Sequence, residues 1–209
     1  MDNQVRTILS SGLAQLGLQT SRLIEDKLVD YLSLLQKWNR TYNLVAKGSA
    51  REILIRHILD SLSVAPFLTG PEILDFGSGA GLPGIPLAIV CAECNFYLLD
   101  ATRKKTIFLE QVKMGLDLAN VTVVPQRMEQ YLPDTPFNTV VTRATTNLAA
   151  VLEQVTRVVM PGGQVLIMKG KYPQAELTEL KKRFEINSVV VPYLNEPRHL
   201  VRIPITYEC

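Results

Sequence analysis

In the stretch Asp75-Phe76-Gly77-Ser78-Gly79-Ala80-Gly81-Leu82-Pro83-Gly84, glycine falls at every second position from Gly77 to Gly81 and again at Gly84. The stretch lies between two apolar runs, Ile73-Leu74 and Ile85 through Val90. Such a layout reads as a buried strand, a tight bend and then a helix. Alternate glycines let a backbone turn sharply and lie close against a ligand, because no Cβ blocks the approach. The start of the following helix adds free N–H donors at the same spot. The bend therefore reads as a binding loop.

Three occupants are weighed: a dinucleotide, a ligand with cationic groups, and no ligand at all. A dinucleotide fingerprint should open directly after the strand. In that frame Gly77 and Gly79 fit, but the third glycine position holds Leu82. Asp75, two residues before the first glycine, is a stronger objection. Phosphate cradles favour positive potential, whereas an acid suits a cation. Asp-x-Gly-x-Gly-x-Gly resembles the first motif of the S-adenosylmethionine-dependent methyltransferases with a Rossmann-like fold. That cofactor carries a sulfonium and an amino group, and no phosphate.

At 209 residues, 47% of them apolar and 20% charged, the chain suits a globular protein with one ordinary domain and an appendage. No apolar run is long enough to cross a bilayer, and Met1-Asp2-Asn3-Gln4 lacks the features of a signal peptide. A cytoplasmic protein without a membrane partner is expected. A formal net charge of +2 does not by itself indicate a polyanionic partner. Basic residues do bunch at Arg103-Lys104-Lys105, at Lys169 and Lys171, and at Lys181-Lys182-Arg183. Such bunches read either as solvated faces or, if they surround the pocket, as an RNA footprint. Cys91-Ala92-Glu93-Cys94 has no second pair and no nearby histidine, so no metal site is expected. Cys91 reads as a small apolar residue closing a helix.

Residues 1 to about 65 read as helices. Leu23, Ile24, Leu28, Tyr31, Leu32, Leu35 and Trp38 form an amphipathic stripe, with Thr20 and Ser21 as candidate caps. A second helical run covers 52–64. Pro66 and Gly70-Pro71 then mark a boundary, giving a helical extension over 1–66 and a main domain over 67–209. Beyond it, strands are expected at 73–76, 95–100, 121–124, 137–142 and 165–168. Helices are expected at 85–91, 103–115 and 148–159. Alternation of this kind predicts an α/β fold with a mostly parallel sheet covered on both faces. Two late β-rich runs, 185–192 and 199–206, suit an antiparallel addition at the edge and bring the sheet to seven strands.

The acids fall where a nucleoside would need them. Asp100 closes the second strand about twenty residues beyond the loop, the place of a ribose-binding carboxylate. One carboxylate can accept hydrogen bonds from two adjacent ribose hydroxyls. Met128 and Glu129 follow the third strand, within reach of an adenine ring.

With loop, strands and acids in place, the chain resembles the small-subunit ribosomal RNA guanine-N7 methyltransferases, the bacterial glucose-inhibited-division B family. The resemblance covers nearly the whole chain. It rests on Leu74 through Ala88, Trp38-Asn39 with Asn43-Leu44, Arg56-His57-Ile58-Leu59-Asp60-Ser61, Arg127-Met128-Glu129, Thr142-Arg143-Ala144, and Pro161-Gly162-Gly163 through Met168-Lys169-Gly170. Pro-Gly-Gly is common among methyltransferases; Gly-Leu-Pro-Gly-Ile-Pro together with Arg-His-x-x-Asp-Ser is much more specific. The resemblance implies a class I methyltransferase fold with S-adenosyl-L-methionine as cofactor. It implies cofactor contacts from Gly77, Leu82, Met128, Glu129 and Arg143. Asp75, Gly79 and Asp100 join that set from the loop and strand reading. The implied partner is 16S ribosomal RNA or the small subunit, with the target guanine in the decoding-region hairpin, and a monomeric enzyme is expected. Thr145-Thr146-Asn147 departs from the smaller or more apolar residues expected after Arg143-Ala144.

The chemistry can be read separately. Methylation of an exocyclic amine commonly goes with an Asn/Asp-Pro-Pro-aromatic motif after the fourth strand, where this chain has Thr142-Arg143-Ala144. Methylation at C5 of a pyrimidine needs a cysteine nucleophile, and Cys91, Cys94 and Cys209 do not fall at the expected strand ends. Guanine N7 already carries an in-plane lone pair, so catalysis reduces to alignment. Arg127, Arg143 and Lys169 are the candidate catalytic residues, set to hold guanine O6 or flanking phosphates. Arg143 is expected to contact O6 alone or the cofactor carboxylate, because N7 is the reacting atom. His57 and Arg56 read either as structural residues or as RNA contacts. The alternatives carried forward are an RNA-binding module without catalysis and a methyltransferase of a small molecule or protein.

Overall fold

The computed structural model describes residues 3–143, 147–180 and 182–206. Helix α1 (Asn3–Gln15) and helix α2 (Arg22–Tyr42) open the chain. Of the two candidate caps, Ser21 is the one that caps α2, accepting a hydrogen bond from the Ile24 amide. Helix α3 (Ala50–Ile53) begins at a reciprocal capping box between Ser49 and Glu52. The run expected to be one helix over 52–64 is three segments: α3, wider π-helical turns over Leu54–Leu59, and helix α4 (Asp60–Leu62). Turns of that width often occur at functional sites, and here they carry Arg56 and His57.

The remaining elements alternate. They are β1 (Glu72–Phe76), α5 (Gly84–Val90), β2 (Asn95–Leu99), α6 (Arg103–Gly115), β3 (Val121–Val124), β4 (Phe137–Thr142), α7 (Leu148–Val155), β5 (Val159–Lys169), α8 (Gln174–Glu179), β6 (Glu185–Ser188) and β7 (His199–Pro204). The seven strands lie in the order β3-β2-β1-β4-β5-β7-β6. β1 to β5 are mutually parallel. β7 runs antiparallel to β5, and β6 antiparallel to β7 at the edge. The fold is thus the α/β, Rossmann-like arrangement expected from the sequence.

Two differences have local causes. β5 starts six residues earlier than the apolar run suggested, because Pro161-Gly162-Gly163 is part of the strand. Gly163 needs no side chain there: a Cβ would stand 2.8 Å from the Asn138 carbonyl oxygen. α8 is short and mostly polar, so it leaves no apolar stripe to read.

Period-two burial along the strands separates the two faces. Leu74, Val140 and Val165 join the core under α7. Ile73, Val141 and Leu166 join the core shared with α1 and α2. Leu28, Tyr31, Leu32 and Leu35 of α2 are fully buried in that second core, and the Tyr31 hydroxyl donates to the Ala80 carbonyl at 2.7 Å. The N-terminal helices therefore support the glycine loop from beneath. Sheet order reverses direction between β1 and β4, the place where open α/β sheets bind ligands at the carboxyl ends of their strands. Among the described residues no helix is long and apolar enough to cross a membrane.

Candidate active site

The glycine loop is held from both sides. The Gly77 and Ser78 amides both donate to the Leu99 carbonyl, at 2.9 and 3.0 Å, which ties the end of β1 to the end of β2. Gly77, Gly79 and Gly81 have φ of +74°, +59° and +83°, a region that residues with a Cβ adopt only under strain. The Asp75 side chain is fully buried, and its Oδ2 accepts from the Gly84 amide at 2.9 Å. Its Oδ1 has no partner, and burial pushes the carboxyl up to about 7. This corrects the sequence reading of Asp75 as an acid presented to a cationic ligand. The side chain lies under the loop and is occupied with the start of α5. Leu82 is likewise packed into the core instead of lining a cavity.

A cavity of about 200 Å³ opens over the loop, lined by Phe76, Gly77, Leu99, Asp100, Ala101, Gln126, Arg127, Met128, Glu129 and Gln154. A Cβ built on Gly77 would meet no atom within 4 Å, so the glycine leaves open space there. Asp100 is buried at the end of β2. Its Oδ2 accepts from the Gly79 amide at 3.0 Å and from Lys105 at 3.2 Å, and its Oδ1 accepts from the Thr102 amide at 2.8 Å. Met128 is buried, while Arg127 and Glu129 are exposed. Carboxylates beside apolar walls suit a nucleoside: ribose hydroxyls can donate to Asp100, and an adenine ring can lie against Leu99 and Met128.

A second cavity, of about 560 Å³, is built from segments far apart in the chain. Its walls include Ala46, Arg56, His57, Asp60, Arg143, Met168, Lys169, Lys171, Glu196 and Arg198. Asp60, at the start of α4, sits at its centre. Its Oδ1 accepts from Arg198 Nε at 2.9 Å and its Oδ2 from Arg143 Nη1 at 3.4 Å. Burial pushes the Asp60 carboxyl up, while both guanidiniums pull it back down. The second terminal nitrogen of Arg143, Nη2, lies 2.7 Å from His57 Nδ1. A guanidinium can only donate, so Nδ1 accepts and His57 is neutral, with its proton on Nε2. Burial, followed by the charges of Arg143, Arg56 and Arg198, holds that imidazole down at about 4. Arg56 pairs with Glu196, and Lys169 with Glu176 at 2.8 Å. Five cations (Arg56, Arg143, Lys169, Lys171, Arg198) line it with two carboxylates, Asp60 and Glu196, and Glu176 holds Lys169 from outside the lining, so the cavity is basic.

The two cavities meet the sheet at neighbouring strand ends. Asp75 of β1 pairs with Val141 of β4, and Gly77 and Arg143 each lie two residues further on.

The family model described as rRNA small subunit methyltransferase G matches residues 24–201. A protein of Nitrosococcus oceani named ribosomal RNA small subunit methyltransferase G is 45% identical over 206 residues, covering 97% of this chain and 96% of its own. A Coxiella burnetii protein of the same name is 43% identical over 195 residues, covering 93% and 96%. The chain belongs to this family. A solved S-adenosylmethionine-dependent methyltransferase from Aquifex aeolicus shares the fold, with a TM-score of 0.58 at 20% identity over 84% of this chain and 98% of that one.

Among the family residues picked out from the sequence, the structure brings Gly77, Asp100, Arg127, Met128 and Glu129 to the smaller cavity. It brings Arg143 and Lys169 to the larger one. The three candidate catalytic residues are therefore divided, with Arg127 at the smaller cavity. Gly79 does not line the smaller cavity, but its N–H donates a hydrogen bond to the Asp100 carboxylate that does. Sequence reasoning missed Asp60, Glu196 and Arg198 as members of the site. The helical spacing His57-x-x-Asp60 could have suggested two side chains on one face; nothing local marks Glu196 or Arg198. Cys91 and Cys94 line neither cavity, and burial pushes the Cys91 thiol up to about 12. Ala144, Thr145, Thr146, Lys181 and Cys209 lie outside the described residues. Among the described residues no group of three His, Cys, Asp or Glu side chains is arranged to hold a metal.

Proposed function

We propose that this methyltransferase of small-subunit ribosomal RNA places a methyl group on N7 of one guanine in 16S RNA. One observation carries the reading: an acid-lined, nucleoside-sized cavity at the end of β1 stands next to a larger basic cavity at the end of β4. When bound, S-adenosylmethionine supplies an electrophilic methyl group on a positively charged sulfur. Gly77, Asp100, Met128 and Glu129 would hold its nucleoside part. Arg143, in the wall of the larger cavity, would take either the cofactor carboxylate or guanine O6. Lys169 and Arg198 add positive potential for the RNA chain.

No base is needed on this reading. Guanine N7 has its lone pair free, and among the described residues the basic cavity holds no group suited to remove a proton: its arginines are permanently charged and Asp60 is committed to two of them. Neutral His57 fixes Arg143 by accepting its hydrogen bond. The chain's contribution is alignment and charge placement. On the same reading the enzyme works in the cytoplasm, as a single chain, without a metal.

The test is incubation of the purified protein with isotope-labelled S-adenosylmethionine and small subunits from cells lacking it. Label recovered as 7-methylguanosine at one position is the expected result. Cofactor binding without transfer, or label in protein or another base, would overturn the reading.

A further inference from the structure

A third cavity, of about 360 Å³, lies on the N-terminal helices and is lined by Gln36, Asn39, Arg40, Lys47, Gly48 and Ile53. Among the described residues no carboxylate lines it. Its floor and walls supply two cations, two side-chain amides and a glycine backbone, all over the apolar Ile53. An acid close by is Glu52, whose Oε2 would stand 3.3 Å from a Cβ on Gly48. That oxygen is already occupied by the Ser49 amide and hydroxyl, both at 2.8 Å.

The segment that forms this cavity is fixed at both ends. Asn43 closes α2 in the left-handed conformation, with φ 47° and ψ 54°. The Val45 amide then donates to Asn39 Oδ1 at 2.9 Å, and Ser49 starts α3. Asn39 is only 6% exposed, and its amide nitrogen has no acceptor among the described residues. A side-chain donor without an acceptor, on the wall of a hollow that also carries Arg40 and Lys47, suits an anionic ligand. Ala46 lines the larger catalytic cavity and Lys47 this one, so the two hollows lie on either side of a single loop.

We infer that this cavity binds a backbone phosphate of the RNA strand whose guanine enters the catalytic cavity, with Arg40, Lys47 and the Asn39 amide as its donors. The inference rests on the RNA-methyltransferase reading and assigns a second point of grip on that substrate. Two grips on one strand fix the register of the target base, as phosphate contacts commonly do.

The experiment compares the wild-type protein with Arg40→Gln, Lys47→Gln and the double variant, using Lys182→Gln on the far side of the sheet as control. Methylation of unmethylated small subunits is followed across a range of salt concentrations. The double variant should raise KM for the subunit on the order of tenfold, with kcat within about twofold. The slope of log affinity against log salt should shrink by about 0.7 for each phosphate that the variant no longer neutralises. The control should change neither. Methylation with unchanged KM and unchanged slope in the double variant would overturn the inference. If the wild type does not methylate subunits at all, the function reading fails instead. Binding of a fluorescent single-stranded RNA oligonucleotide then decides the inference: weaker binding by the double variant supports it, and equal binding sinks it. Circular dichroism confirms that each variant is folded.

Discussion

The cavity proposed for the cofactor and the cavity proposed for the RNA are built in opposite ways. The first comes mostly from β1, β2 and the turns that follow them, within a few residues of Gly77, Asp100 and Met128. The second gathers residues from the N-terminal helices, the ends of β4 and β5, and the segment before β7. One is stabilised chiefly by backbone geometry, with three glycines at positive φ. The other depends on ion pairs between residues as far apart as Asp60 and Arg198. A site that binds an invariant cofactor can be written locally, whereas a site for a particular RNA draws on the whole chain.

The sharpest way to break this contrast is Gly77→Asp. The space above Gly77 is open, so the side chain fits, but it takes φ +74° and sets a negative charge in the cofactor cavity. Cofactor affinity should fall at least about 100-fold, a loss of roughly 3 kcal/mol, while the circular dichroism spectrum is kept. Calorimetric titration showing near-normal affinity would remove the loop from the site.

Asp75→Asn tests the floor of the same cavity through pH. Burial holds the carboxyl up to about 7 against an ordinary 3.8. The folded protein thus keeps a proton that the unfolded chain releases, so Asp75 costs stability as pH rises from about 4 to about 7. Urea denaturation should show the variant gaining on the wild type by about 2–4 kcal/mol across that window. Parallel profiles would show that Asp75 titrates normally.

For the larger cavity, Asp60→Asn leaves Arg143 and Arg198 without their shared carboxylate. Methylation kcat should drop about tenfold, equivalent to ~1.4 kcal/mol, with cofactor affinity changed by no more than about threefold. An equal loss in both would mean that the two cavities act as one. The smallest effect is expected from Arg127→Gln. Its side chain is exposed at the rim of the cofactor cavity, and a loss of about threefold in cofactor KM fits a screened surface charge. A tenfold loss of kcat would return Arg127 to the catalytic group.

What the residues alone determined follows this division. The strand-bend-helix at Gly77, the alternation of strands and helices, and the acid at the end of β2 were all legible, because each depends on spacing within a few residues. The parallel sheet and its antiparallel edge followed from the same patterns. The position of Asp75 was misread. Its distance from the glycines is fixed by the chain, but only the packing of α5 against β1 turns the carboxylate inward to the Gly84 amide.

Arg143 was picked out through the family resemblance, at its place after β4, yet its partners were not. Asp60, His57, Glu196 and Arg198 meet only when the helical layer and the β6–β7 segment close over the same sheet edge. Backbone conformation is encoded by near neighbours. Charge pairing across more than a hundred residues is decided by which faces the hydrophobic core brings together, and that is set by the tertiary fold.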